Sequence, residues 1–131
     1  MSIREIKFRA FIKNLIWLVP VEMIDFSSRT VEVDLSAGNG DTSEYGFDEI
    51  ELMQFTGLKD KAETEIFEGD LVRTYEPEEG RLLEKIIYEN GSFRVNCLSG
   101  EKIDCPIGSI LSKYIEVVGN VHENKDLLEQ S

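Results

Sequence analysis

One histidine, one tryptophan, two cysteines and three prolines are all that 131 residues hold of these types. Each scarcity closes off a class of chemistry. A structural zinc site takes about four thiolate or imidazole ligands, and His122, Cys97 and Cys105 are too few. Two cysteines make no disulfide framework. They lie eight positions apart on neighbouring predicted strands, and a turn centred on Glu101 places them opposite each other, a geometry compatible with a bridge. Without an export signal, they read instead as small buried apolar residues in a reducing cytoplasm. No apolar run approaches the roughly 20 residues that span a bilayer. The N-terminus alternates Arg4, Lys7 and Arg9 with apolar residues, unlike a signal peptide. The expectation is a cytoplasmic protein without membrane contact.

Catalytic patterns are missing as well. There is no nucleophile elbow, phosphate loop, glycine-rich dinucleotide turn or paired histidines on a helix. No catalytic, cofactor-binding or metal residues are assigned, no cofactor is expected, and the reading is a non-enzyme. Asp60, Glu68 and Asp70 are a carboxylate set able in principle to hold a hard cation or serve a hydrolase. Their simpler role, shared with Thr56, is to accept hydrogen bonds from backbone N–H groups in two consecutive turns.

Positive charge is scarce in one place. Residues 1–40 hold five acids and five bases, residues 41–80 hold 13 acids and three bases, and residues 81–131 hold eight and six. Most of the net −12 therefore sits in the middle segment. Such a surface repels phosphate backbones, so direct nucleic-acid binding is not expected. It reads as a solvated face, and the sharper alternative is a basic partner or mimicry of nucleic acid against a host protein.

What is present reads as strand. Ile6, Phe8 and Ala10 alternate with Lys7 and Arg9. Leu15 to Val19 is an apolar run around Trp17, and Pro20 closes it or kinks it. Val21–Phe26 and Thr30–Leu35 flank Ser27-Ser28-Arg29 as a hairpin. The Gly- and Ser-rich stretch Ser36 to Gly46 reads as a loop, and Glu49 to Phe55 is either strand or helical turn. Asn90-Gly91 between two apolar strands is a strong hairpin signal. Gly69 suits positive φ, and Asp70 can bond the neighbouring backbone. Asn124 can cap a short helix over Leu127 and Leu128.

Three separated segments carry a family resemblance. The central run LMQFTGLKDK followed by IFEGDLV, the opening Arg4–Ala10, and the closing Tyr114–Asn124 together resemble the YopX family of phage- and prophage-encoded proteins. The resemblance implies a structural motif of Gln54, Thr56, Gly57, Asp60, Glu68, Gly69, Asp70, Gly119 and Asn120. It implies a genomic setting and not a mechanism, because the family has no settled activity. Phe11 and Ile12 stand where the family has Trp and Asp, and Glu63 stands where it has Gly. The last departure suggests a different turn.

The expected fold is mainly β: an N-terminal antiparallel β layer over residues 1–55, then a unit over 56–131. That second unit is expected to hold a linker turn, an SH3-like small β-barrel (about 66–122) and a short C-terminal helix. The expected role is an accessory protein that acts through protein contacts, a homo-oligomer in which the Trp17 strand and the tail complete a neighbour's core. The alternative role is an acidic antagonist that occupies a basic, nucleic-acid-binding host protein. In that alternative, association weakens steeply as salt rises. A host-lysate pull-down at low and high salt, with wild type beside a Glu76→Gln/Glu78→Gln/Glu79→Gln variant, tests it. Recovery of no basic nucleic-acid-binding protein at low salt removes the antagonist.

Overall fold

The computed structural model describes residues 5–36, 41–76, 80–97, 104–110 and 112–124. The chain divides into two compact units, residues 1–54 and 55–131.

The first unit is an antiparallel sheet of β1 (Phe8–Ile12), β2 (Trp17–Asp25), β3 (Thr30–Asp34), β4 (Thr42–Gly46) and the first half of β5 (Ile50–Lys59). The order is β4-β3-β2-β1-β5. Alternation decides which side is buried. In β1, Ala10 and Ile12 are buried, and in β3, Val31 and Val33 are. They pack with Val19 and Ile50 into one core, edged by Val21, Leu52, Tyr45 and Phe47. Burying each such side chain stabilises by roughly 1.5–3 kcal/mol. The first strand starts two residues later than the alternation suggested, and Ile6 stays in solvent.

Local chemistry closes the turns. Asp25 Oδ1 accepts from the backbone N–H of Ser27 and Ser28 and from Ser27 Oγ, folding the β2–β3 hairpin over Phe26–Arg29. Ser36–Gly46 is not simply a loop, because Thr42–Gly46 pairs residue for residue with Thr30–Asp34 as β4. The ambiguous stretch Glu49 to Phe55 is strand from Ile50 onward, with only Glu49 belonging to a 3-10 turn, Phe47–Glu49. Glu49 folds back so that its Oε1 accepts from the Gly46 N–H.

The second unit begins with the rest of β5, paired to β6 (Glu65–Phe67). β7 (Asp70–Glu76), β8 (Gly80–Glu89), β9 (Ser92–Cys97), β10 (Asp104–Pro106) and β11 (Ile115–Asn120) follow. These five form an antiparallel sheet in the order β10-β9-β8-β7-β11. Asn90 (φ 53°) and Gly91 (φ 79°) both turn left-handed at the β8–β9 hairpin. The core here is Ile66, Val72, Ile86, Val95, Ile107 and Ile115.

The expected SH3-like barrel is not present. β10 and β11 lie at opposite edges of the sheet, and among the described residues no ladder joins them. β10 is only three residues long and ends at Pro106, which has no N–H to give. The chain then enters 3-10 turns at Ile107–Ser109 and Ser112–Tyr114 instead of continuing as a strand that could close the sheet.

The expected C-terminal helix is also corrected. After β11 the chain turns through Val121–Glu123, and there is no α-helix among the described residues. Asn124 directs its Oδ1 back to accept from the Asn120 N–H instead of capping a helix ahead. Leu127 and Leu128 lie outside the described residues. The register also bears on the cysteines. Cys105 stands opposite Val95 and Cys97 opposite Glu84, so the two are not cross-strand partners. Cys105 is a free, half-buried thiol. Among the described residues no helix is long and apolar enough to cross a membrane.

Candidate functional site

The motif residues build a backbone-bonding lattice in the second unit. Gln54 lies opposite Phe8 at the end of the first unit's share of β5. Thr56 follows, and its Oγ1 donates to the carbonyl of Ile66 (2.7 Å) while accepting from the Leu58 N–H (3.2 Å). Gly57 has φ 88°, within the register shift where β5 pairs with β6. The strand therefore runs on to Lys59, and only Asp60–Thr64 is loop.

Asp60 holds that loop together. Its Oδ1 accepts from the N–H of Ala62 (2.8 Å) and Thr64 (2.9 Å). Its Oδ2 accepts from the N–H of Val117 (2.9 Å) on β11, 57 positions away in sequence. The next residue does the converse: Lys61 N–H donates to the Ile115 carbonyl (3.0 Å), and Lys61 Nζ pairs with Glu116 (2.7 Å). A loop thus stands where another strand would lie, satisfying alternate groups on the outer edge of β11. An uncovered edge of that kind is a template for pairing with other chains.

Asp60 is 4% exposed. Burial alone raises its pKa, but the donors from Val117, Thr64 and Ala62 outweigh it and hold the carboxyl below the usual aspartate range.

Glu63 sits at a sharp position of this loop. Its φ is 67°, the left-handed conformation that glycine adopts at least cost. Glu63 therefore bears backbone strain.

The second turn centres on Gly69, with φ 87°. Its N–H donates to the Ile86 carbonyl (2.8 Å), and its carbonyl accepts from the Val121 N–H (3.0 Å). Asp70, 1% exposed, accepts from the Phe67 N–H through Oδ2 (2.8 Å). Asn120 anchors the far end of β11: its Oδ1 accepts from the N–H of His122 and Glu123, and its Nδ2 donates to Glu123 Oε1. A Cβ on Gly119 would meet Asn124 Oδ1 at 2.5 Å, so a larger residue there must displace the Asn124 side chain.

These contacts give the carboxylates structural work. Asp60 and Asp70 spend oxygens on backbone donors, and Glu68 sits half-buried in the turn beside Gly69. Among the described residues no three His, Cys, Asp or Glu side chains group so as to hold a metal ion.

The family model for the YopX protein matches residues 7–129. The chain belongs to the YopX family. The resemblance carried by the three separated segments is thereby established. A solved structure, protein EF1440 from Enterococcus faecalis, is similar at 27% identity with a TM-score of 0.66. The alignment covers 95% of this chain and 98% of that one. No curated protein matches.

Two features of this YopX-family chain lie outside the motif. The tip of the β1–β2 hairpin displays Leu15 (40% exposed), Ile16 (66%) and Trp17 (52%). Ile16 has φ 58°, while its N–H donates to the Ile12 carbonyl (2.8 Å). A β-branched residue rarely takes that conformation. The apolar run suggested a strand around Trp17; the strained tip is visible only in three dimensions. The other feature is a groove of about 160 Å³ lined by Met23, Asp25, Ser28, Thr30, Glu32 and Glu44. Glu32 stands directly opposite Glu44, and facing like charges are mildly destabilising.

One residue that the sequence reading passed over is Glu84. It is 1% exposed, and Thr74 Oγ1 donates to its carboxylate. The signal was available, since Glu84 and Ile86 share one phase of the β8 alternation.

Four outcomes follow from this geometry. Asp60→Ala is expected to destabilise by about 3 kcal/mol or more, since three backbone donors lose an ionised acceptor, measurable by urea denaturation at neutral pH. Because the Asp60 pKa is lowered on folding, its contribution is present above the unfolded value and lost as pH falls through the folded one. The wild-type advantage over Asp60→Ala should therefore shrink only in acid. At the turns, Gly69→Val is expected to cost more than about 1 kcal/mol and Glu63→Gly to stabilise by up to about 1 kcal/mol. Melting temperatures that moved the opposite way would refute the strain assignments.

Proposed function

We propose that this chain is a non-enzymatic accessory protein of the YopX type, phage- or prophage-encoded and acting in the host cytoplasm through protein contacts, self-association among them. The observation that carries the reading is the hairpin tip. Leu15, Ile16 and Trp17 are consecutive, apolar and exposed, and Ile16 is held left-handed. Contiguous exposed apolar residues mark contact surfaces more often than scattered ones do. A strained conformation is retained where surrounding structure enforces it and where it presents a side chain usefully. The engagement of Asp60 and Asp70 with backbone donors supports an architectural role for the motif over a hydrolytic one.

Static light scattering tests the reading. Wild type is expected to exceed the 14.9 kDa monomer mass at high micromolar concentration. Trp17→Ser and Ile16→Gly should both return it to monomer. Ile16→Gly should do so without loss of thermal stability, because glycine relieves the left-handed strain. A wild-type monomer of 14.9 kDa at every concentration would overturn self-association.

A further inference from the structure

An edge strand is ordinarily blunted by a charge, a bulge, or a covering helix or loop, and β11 has both a register shift between Val117 and Gly119 and the tip of the β5–β6 hairpin set against it. That tip is a five-residue loop, Asp60–Thr64, whose contacts with the edge include two backbone-directed bonds and one ion pair. The bonds run to Val117 N–H and Ile115 C=O, the groups that an added antiparallel strand would use. The ion pair sets Lys61 on Glu116, between them. Glu63, within the loop, holds a left-handed φ of 67°, which costs a non-glycine residue about 1–2 kcal/mol. The loop is therefore fastened at three points and strained at a fourth.

We propose that the Asp60–Thr64 loop is a releasable latch, and that the β11 edge beneath it is a strand-addition site for an extended, Lys- or Arg-bearing segment of a partner protein. Strand addition draws affinity from main-chain bonds and specificity from alternate side chains. The latch shows what the edge accepts: an acceptor for Val117 N–H, a donor for Ile115 C=O, and a cation beside Glu116. An incoming strand reproduces the first two with its backbone. Its Lys or Arg takes the place that Lys61 leaves. The net charge of −12 favours a basic segment over an acidic one. The edge lies in the second unit and the hairpin tip in the first, so this inference does not depend on self-association.

Amide hydrogen exchange on the full chain tests both halves. In wild type, the Val117, Ala62 and Thr64 amides should exchange at least tenfold faster than those of Val72 and Ile86, through local opening of the latch. Glu63→Gly, which keeps every fastening and removes the strain, should slow Val117 exchange severalfold relative to the core amides. A capped peptide alternating valine and lysine should protect Val117 on binding, more strongly in Asp60→Ala than in wild type. A valine–glutamate peptide of equal length should not. If the loop and core amides exchange together in wild type and in Glu63→Gly, the latch opens only on global unfolding and is no latch. Equal protection by both peptides, or by neither in wild type and Asp60→Ala, removes the strand-addition site.

Discussion

The Asp60 carboxylate ties the motif loop to β11 and keeps the edge of a five-stranded sheet from standing open. It accepts from Ala62 and Thr64 within the loop and from Val117 across to β11. The neighbouring contacts rest on that arrangement. Lys61 reaches the Ile115 carbonyl and Glu116 only because the loop is seated on the strand. An ionised acceptor suits the task, since hydrogen bonds to charge are about twice as strong as neutral ones. Several donors on one carboxylate also keep it ionised despite burial.

Around that anchor, the second unit is a set of turns whose backbone conformations leave little latitude. Gly57, Gly69 and Glu63 all have positive φ, and Thr56, Asp70 and Asn120 bond the backbone beside the turns they occupy. A motif built of Thr, Gly, Asp and Asn is what such a lattice requires, because these residues combine left-handed freedom with short polar side chains. Here the oxygens of Asp60 and Asp70 accept from backbone donors in the same unit. The part of the YopX signature around Asp60 thus finishes one sheet edge.

Some of this was legible in the residues. Asn90-Gly91 and Gly69 announce left-handed turns, since non-glycine side chains other than Asn and Asp resist them. Val31 and Val33 announce a buried face by alternating with Thr30, Glu32 and Asp34. Ser27 to Arg29 sits between two apolar runs and is the turn of a hairpin. Ile16 and Glu63 could not be read this way. Each takes a conformation that its own side chain disfavours.

Local preference, period-two patterning and charge by themselves determined a strand-rich chain, its glycine- and asparagine-marked turns and its acidic middle, while the order of three separated motifs carried the resemblance to the YopX family. Each of these depends on residues within a few positions of one another, or on motif order along the chain. Tertiary structure alone decided that Asp60 meets Val117, that β10 and β11 end as separate edges instead of closing a barrel, and that Leu15 to Trp17 form an exposed tip. The reason is common to all three. Whether an edge is paired, covered or left open depends on which distant segment arrives beside it, and the pattern within a strand is the same in every case.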